Sequence, residues 1–350
     1  MRTVGVEEEF LLVAADGSPV ALAQAAVSGE LELELKEQML ETGTRPCLDI
    51  AELADDVRLQ RRTAAAAARS AGARLAALAT SPLPVTSSVT ARFRYHRIVA
   101  EYGLTAREQL TCGCHVHVRV ADDDEGVAVL DRLGPWLPVL LAMSANSPFW
   151  QGEDTGYASY RSQVWQRWPT AGPTGEFGSA ADYHRTIDDL VGTGAALDRA
   201  MIYFDARLSD RYPTVELRVA DVALRAADTV LLATLSRALV ETLARQAADG
   251  MPARAPRPEL LRAATWRAGR AGLRGHLVHP VTLGPVPATQ AVEALLDHVR
   301  PVLVEQGELE GAEAGWQDLL GRGTGAEEQR AWAADGLQRT VELAVAATTG

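Results

Sequence analysis

Leu110-Thr111-Cys112-Gly113-Cys114-His115-Val116-His117-Val118-Arg119-Val120 carries the clearest structural signal in the chain. Successive side chains of a strand point to opposite faces. Leu110, Cys112, Cys114, Val116, Val118 and Val120 therefore share one face, and Thr111, Gly113, His115, His117 and Arg119 share the other. The first face is apolar and suited to a core; the second presents two imidazoles. Cysteine and histidine together suggest zinc, but here they lie on opposite faces and cannot meet one ion without breaking the strand. Cys112 and Cys114 are expected to be buried and inert.

The same division recurs on both sides of this stretch. Over residues 3–13, Val4, Val6, Phe10 and Leu12 oppose Gly5, Glu7, Glu9 and Leu11. Residues 30–36 alternate Leu31, Leu33 and Leu35 with Glu30, Glu32 and Glu34, and the pattern resumes through Gln38-Met39-Leu40-Glu41, which reads as strand, short break, strand. Residues 201–208 and 214–222 read as two more strands around a turn at 209–213. In the second, Val215, Leu217 and Val219 point to the core while Thr214, Glu216 and Arg218 point away.

Helices account for most of the rest. Asp49-Ile50-Ala51-Glu52 has the form of a capping box. The alanine-rich segment behind it places Leu53, Val57, Leu75 and Leu78 at helical spacing as far as Pro82. A second helix is expected over 125–144, and from 226 onward the chain reads as helical, with interruptions at 250–258 and 279–287. Residues 147–178, rich in aromatic, Gly and Pro residues, form too long a connection to be passive and are expected to be a substrate lid, with Trp150, Trp165 and Trp168 as its own core. This order of elements fits an α+β fold, a curved antiparallel sheet with helices packed on one face. No Gly/Ser linker, repeat or heptad run marks a boundary, so residues 1–350 are read as a single domain.

Five strands thus pair an apolar face with one bearing Glu7, Glu9, Glu34, Glu41, His115, His117, Glu216 and Arg218. Lys36 is the only lysine, so little is available to neutralise these acids. A lone Glu pair on a strand is ordinarily a solvated face, and Glu30, Glu32 and Glu37 are read that way. Across five neighbouring strands, uncompensated carboxylates would repel one another until some were forced to protonate. A divalent cation resolves the conflict, and oxygen ligands with an occasional imidazole suit Mg²⁺ or Mn²⁺.

Composition narrows the partners. Lys36 has none of the glycines of a phosphate-binding loop around it, which excludes an ATP site of the Walker type. With 34 Lys+Arg against 46 Asp+Glu, the net charge of -12 argues against nucleic acid or an anionic membrane as the main partner. Glu7-Glu8-Glu9 stands where a signal peptide would need apolar residues, and no apolar run approaches ~18 residues. Cys47, Cys112 and Cys114 are an odd number of cysteines, which fits a reducing compartment without a disulfide framework. A cytoplasmic protein is expected.

Several motifs together resemble a known family. Gly5-Val6-Glu7-Glu8-Glu9-Phe10, Cys112-Gly113-Cys114-His115-Val116-His117-Val118, Ala145-Asn146-Ser147-Pro148-Phe149-Trp150, Ser159-Tyr160-Arg161 through Trp168-Pro169, Pro213-Thr214-Val215-Glu216-Leu217-Arg218, and Gly323-Thr324-Gly325-Ala326 through Gln329-Arg330 resemble the type 2 glutamate–cysteine ligase family, the YbdK-like carboxylate-amine ligases. The resemblance implies a glutamine-synthetase-like fold whose concave sheet face holds Mg²⁺-ATP. It also implies a reaction in which ATP phosphorylates a carboxylate and an amine displaces phosphate to give an amide, γ-glutamyl in the namesake reaction of glutamate with cysteine. The family's metal ligands fall on Glu7, Glu9, Glu34, Glu41, His115 and Glu216, with Glu30, Glu32 and Glu37 as alternative registers for Glu34. Arg218, with Arg207 from the adjoining strand, would neutralise the phosphate in transfer, and Arg161 with Tyr160 in the lid would bind substrate. Glu216 and Arg218 carry the catalytic expectation. A homodimer is implied by the resemblance alone. Two other functions stay open on the sequence: a guanidino phosphotransferase on the same scaffold, and a non-catalytic nucleotide- or metal-binding protein.

Overall fold

The computed structural model describes residues 1–27, 31–253 and 256–350. Its strands are β1 (Val4–Val13), β2 (Glu32–Leu33), β3 (Met39–Gly43), β4 (Arg74–Ala76), β5 (Gly113–Arg119), β6 (Phe149–Trp150), β7 (Glu153–Asp154), β8 (Ala206–Leu208), β9 (Thr214–Asp221), β10 (His276–Val278) and β11 (Pro285–Pro287). Seven of them form one antiparallel sheet in the order β2-β3-β1-β5-β9-β8, with β4 pairing Leu11–Val13 of β1. The other four form two separate hairpins.

Alternation decides which face is covered. Val4, Val6, Cys114, Val116, Val118, Val215 and Leu217 enter one apolar core with the helices Asp123–Leu133, Leu137–Ser144 and Ala226–Ala248. Leu217 is 3% exposed, so Leu217→Ala is expected to cost about 2–5 kcal/mol. The opposite face of the sheet stays open as a cleft.

Several elements end earlier than the sequence pattern suggests, each for a local reason. Asp49 caps the helix Ile50–Ser70 by accepting from Ala51 N at 2.6 Å, but that helix stops at Ser70, not near Pro82. Gly72 takes a left-handed φ of 82°, the usual helix-terminating conformation, and turns the chain so that Leu75 joins β4. The expected helix over 125–144 is two helices, Asp123–Leu133 and Leu137–Ser144, bent by 73°. Pro135 lies in the break, where it has no N–H for a continuous helix. Of the strand expected over 30–36, Glu30 lies outside the described residues and only Glu32–Leu33 pairs with β3. Beyond it the backbone finds other partners: Thr90 N donates to Leu35 O at 3.0 Å and Glu37 N to Ser88 O at 3.1 Å. The strand expected from Met201 begins at Ala206, since Arg199–Met201 is a single 3-10 turn.

Among the described residues no single helix is long and apolar enough to cross a membrane. The bent pair reaches that length and composition only jointly, and every residue of Leu137–Ser144 is buried within the fold.

Candidate active site

Strand register assembles the open face. Glu7 lies opposite His115, Glu9 opposite Glu41, and Glu216 is flanked by His117 on β5 and Arg207 on β8. Glu34 arrives from the turn after β2. The cleft over this face has a volume of about 370 Å³. Glu7, Glu9, Glu34, Glu41, His115, Glu216, Arg207 and Arg218 all line it.

Two groups of potential ligands stand side by side. One donor atom from each of Glu7, His115 and Glu216 lies within 4.8 Å of the others, and the same holds for Glu9, Glu34 and Glu41. His115 Nδ1 is 3.4 Å from Glu7 Oε2 and 3.8 Å from Glu216 Oε1. His117 Nε2 is 3.4 Å from Glu7 Oε2, while its Nδ1 is 3.0 Å from Thr214 Oγ1. Glu216, 2% exposed, is gripped by Arg207 Nε at 2.7 Å and by Arg218 Nη1.

The two groups differ electrostatically. Burial opposes ionisation of Glu7 and Glu216, yet both stay well below the usual carboxylate range, Glu7 through its hydrogen bonds to His115 and His117 and Glu216 through the charges of Arg218 and Arg207. Burial pushes Glu41 well up, reinforced by its hydrogen bond to Glu34 and by the charges of Glu34, Glu7 and Glu9. Glu9 is raised as well, again first by burial, with His115 and Arg161 opposing and Glu34 adding to the rise. Crowded, reluctantly charged carboxylates are what a bound dication relieves. His115 Nε2 is buried without a hydrogen-bond partner, so the imidazole has a nitrogen to spare.

Arg161 and Tyr160 are placed differently from the expectation. Neither lines the cleft. Arg161 is 2% exposed, and its guanidinium donates to the carbonyls of Arg218 and Val219. Tyr160 packs against Trp150 and Tyr157. Both therefore belong to the packing beside the cleft. The 147–178 segment reaches the cleft through Trp165 and Trp168, the latter 3% exposed. Cys112 and Cys114 lie in apolar cores as free thiols, and burial holds both well above the ordinary thiol range.

Other lining residues were not singled out from sequence: Arg92, Arg94, Tyr95, Gln109, Thr111, Arg211 and Tyr212. Thr111 shares the alternating face of His115 and was legible; the others sit in loops or at a helix start, where no period marks them. Lys36 also lines the cleft, with Nζ donating to Arg107 O at 2.8 Å, and burial lowers it to about 8.

The model of glutamate-cysteine ligase family 2 matches residues 3–341, which span every strand of the sheet. The chain belongs to glutamate-cysteine ligase family 2. A protein from Streptomyces avermitilis named "Putative glutamate--cysteine ligase 2-1" is 53% identical to this family member over 340 residues, 94% of each chain. One from Streptomyces coelicolor named "Putative glutamate--cysteine ligase 2" is 52% identical over 340 residues, again 94% of each. Among solved structures, a bifunctional glutathione synthetase from Pasteurella multocida matches with a TM-score of 0.73 at 16% identity, over 99% of this chain and 52% of that one. A glutamate–cysteine ligase from Francisella tularensis in complex with AMP matches with a TM-score of 0.71 at 13% identity, over 100% of this chain and 89% of that one. At such identities the likeness establishes the fold, the glutamine-synthetase-like one expected. As a member of glutamate-cysteine ligase family 2 the protein is an ATP-dependent ligase acting on small molecules, which sets aside the phosphotransferase and non-catalytic readings.

Proposed function

We propose that this enzyme joins a carboxylic acid, glutamate in the first instance, to an amine such as cysteine through an acyl phosphate. The observation that supports this best is the pair of three-donor groups, Glu7/His115/Glu216 and Glu9/Glu34/Glu41, set beside Arg207 and Arg218 in one cleft. These residues fit Mg²⁺ or Mn²⁺: oxygen-rich donors with one imidazole, at separations a single ion can span. When bound, the metal would withdraw charge from the ATP phosphates.

The chain's own groups do the rest. A substrate carboxylate oxygen bonds to the γ-phosphorus as the bond to ADP breaks, and Arg218 and Arg207 neutralise the oxygens in transit. The amine nitrogen then bonds to the acyl carbon, the bond to phosphate breaks, and an amine proton is released. No nucleophilic Ser or Cys is required. Because an acyl phosphate hydrolyses, water must be kept out; the 147–178 segment, as a lid with Trp165 and Trp168 against the cleft, serves that purpose. A single catalytic domain, a cytoplasmic location and a homodimer belong to the same reading.

A screen of acids and amines with Mg²⁺-ATP, read by mass spectrometry, tests it. The expected result is one phosphate released per dehydrated condensation product. A phosphorylated acceptor with no condensation would overturn it.

A further inference from the structure

Three of the sequence motifs have no part in the chemistry above: Asn146-Ser147, Ser159-Tyr160-Arg161 and Gly325 through Gln329. The structure brings them together beyond the end of the cleft, on the same side of the sheet, around Asp221 at the end of β9. Fully buried Asp221 accepts from Asn146 N at 2.8 Å, Ser147 Oγ at 2.7 Å and Ser159 Oγ at 2.8 Å. Gln329 Nε2 in turn holds Asn146, donating to its backbone O at 2.9 Å and its Oδ1 at 2.6 Å.

This buried knot encloses Arg161. Its backbone N donates to Ser147 Oγ at 3.0 Å, its Nη1 lies 3.9 Å from Asp221 Oδ1, and its guanidinium donates at 3.3 Å to both Arg218 O and Val219 O. Those carbonyls sit at an irregularity. β9 carries one more residue than β5 between the Val116–Leu217 and Cys114–Ala220 pairs, a β-bulge that includes Arg218. The guanidinium also fills a notch in β5: a Cβ on Gly113 would lie 2.2 Å from Arg161 Nη2 and 2.9 Å from Cζ. The N–H of Gly113 donates to Glu9 Oε2. Trp165 lies between the two arginines, its ring 5.6 Å from Arg161 Cζ and 5.7 Å from Arg218 Cζ.

We infer that Arg161 is a positioning residue, a buried cation seated in the Gly113 notch that fixes Glu9 through the Gly113 N–H and Arg218 through the β9 bulge and Trp165. It touches no substrate. Asp221 compensates the cost of burying its charge. Only a planar fork spans two successive carbonyls while stacking on an indole, so lysine cannot replace it. The inference rests on the metal reading of the Glu9 group for one of its three readouts and is independent of it for the other two.

The experiment uses Arg161→Lys, Arg161→Ala, Gly113→Ala and the double variant Gly113→Ala/Arg161→Ala. It measures Mn²⁺ binding by calorimetry without nucleotide, Tm, and kcat and KM separately. Mutating groups that orient metal ligands typically weakens metal affinity about 10–100-fold. Arg161→Lys is expected to lose Mn²⁺ affinity within that range and to lose kcat, with the KM for the acid little changed. Gly113→Ala should melt below wild type. The double variant should lose less Tm than the two single alanine variants summed, since its added methyl enters the vacated notch, without recovering Mn²⁺ affinity. A raised KM for the acid at unchanged Mn²⁺ affinity would make Arg161 a substrate ligand and overturn the inference. A lowered Tm with wild-type kcat and Mn²⁺ affinity would overturn it too, leaving a scaffold role only. If the wild-type protein binds no Mn²⁺, the metal reading fails instead, and the notch is decided by the Tm coupling of Gly113 with Arg161 together with the kcat–KM split.

Discussion

Glu216→Gln tests the site with little change of shape. Glu216 is the shared counter-charge of Arg207 and Arg218. Removing one partner from a buried ion pair costs about 3–5 kcal/mol. Unfolding entropy near ~2.1 cal/mol/K per residue, over 350 residues, turns that cost into a Tm lower by about 4–7 °C. Loss of Tm alone does not separate a metal ligand from a structural ion pair, but its dependence on metal does. A ligand that binds only the folded state stabilises it by about 2.7 kcal/mol at 100 times its Kd, or about 4 °C here. Wild-type protein should therefore gain about 4 °C in scanning calorimetry on saturation with Mg²⁺, and Glu216→Gln should gain little. If the variant keeps the full Mg²⁺-dependent rise, Glu216 holds arginines and not a cation, and the reasoning from convergent carboxylates is wrong at its best-placed residue.

Arg218→Lys should fold and bind metal but lose on the order of 10²-fold or more in kcat, about 3 kcal/mol of transition-state stabilisation, measured as steady-state phosphate release; wild-type turnover would remove Arg218 from the chemistry. Asp205 gives a pH test away from the cleft carboxylates. Burial pushes it up to about 7 from 3.8, against the charges of Arg161 and Arg262, so the folded state holds a proton that the unfolded state gives up. Stability should fall as pH rises from about 4 to 7. Asp205→Asn should flatten that fall and exceed wild type at pH 8 by up to roughly 4 kcal/mol in urea unfolding; an unchanged pH slope would count against a buried proton. Cys112→Ala and Cys114→Ala should retain activity with a modest loss of Tm from packing, and a stoichiometric loss of zinc in either variant would contradict their placement on the apolar face.

The site was readable wherever a strand has one buried and one open face, because that condition imposes period two on the sequence. β1, β5 and β9 satisfy it, and Glu7, Glu9, His115, Glu216 and Arg218 all fell on the predicted face. Reading failed where the period breaks. The bulge in β9 shifts parity, so Asp221 pairs with Gly113 on the cleft side of the sheet, and no alternation shows it. Leu75 and Leu78 fitted a helical repeat that Gly72 ends. Arg161 carried a motif but not its direction, since a guanidinium buried against carbonyls and one offered to a substrate look alike in sequence. Arg92, Arg94 and Tyr95 reach the cleft through the placing of the helix Phe93–Tyr102 and its cap, which only tertiary packing sets.

The position of β1 in the sheet has a consequence for biosynthesis. Flanked by β3 and β5, with β4 on its later half, it is an interior strand, yet it is translated before every partner it has. Roughly 100 residues separate its end from β5, and at about 5–20 residues per second the ribosome needs on the order of 5–20 s to make them. For that interval β3 and β4, made earlier, can pair Glu7–Leu11 and Leu11–Val13, but the edge of Val4–Glu8 that β5 will cover stays open to any neighbouring nascent chain. The cleft face is then complete only after β9 emerges, about 100 residues later still. Holdase chaperones that bind this chain on the ribosome should therefore engage β1 first and release it when β5 docks.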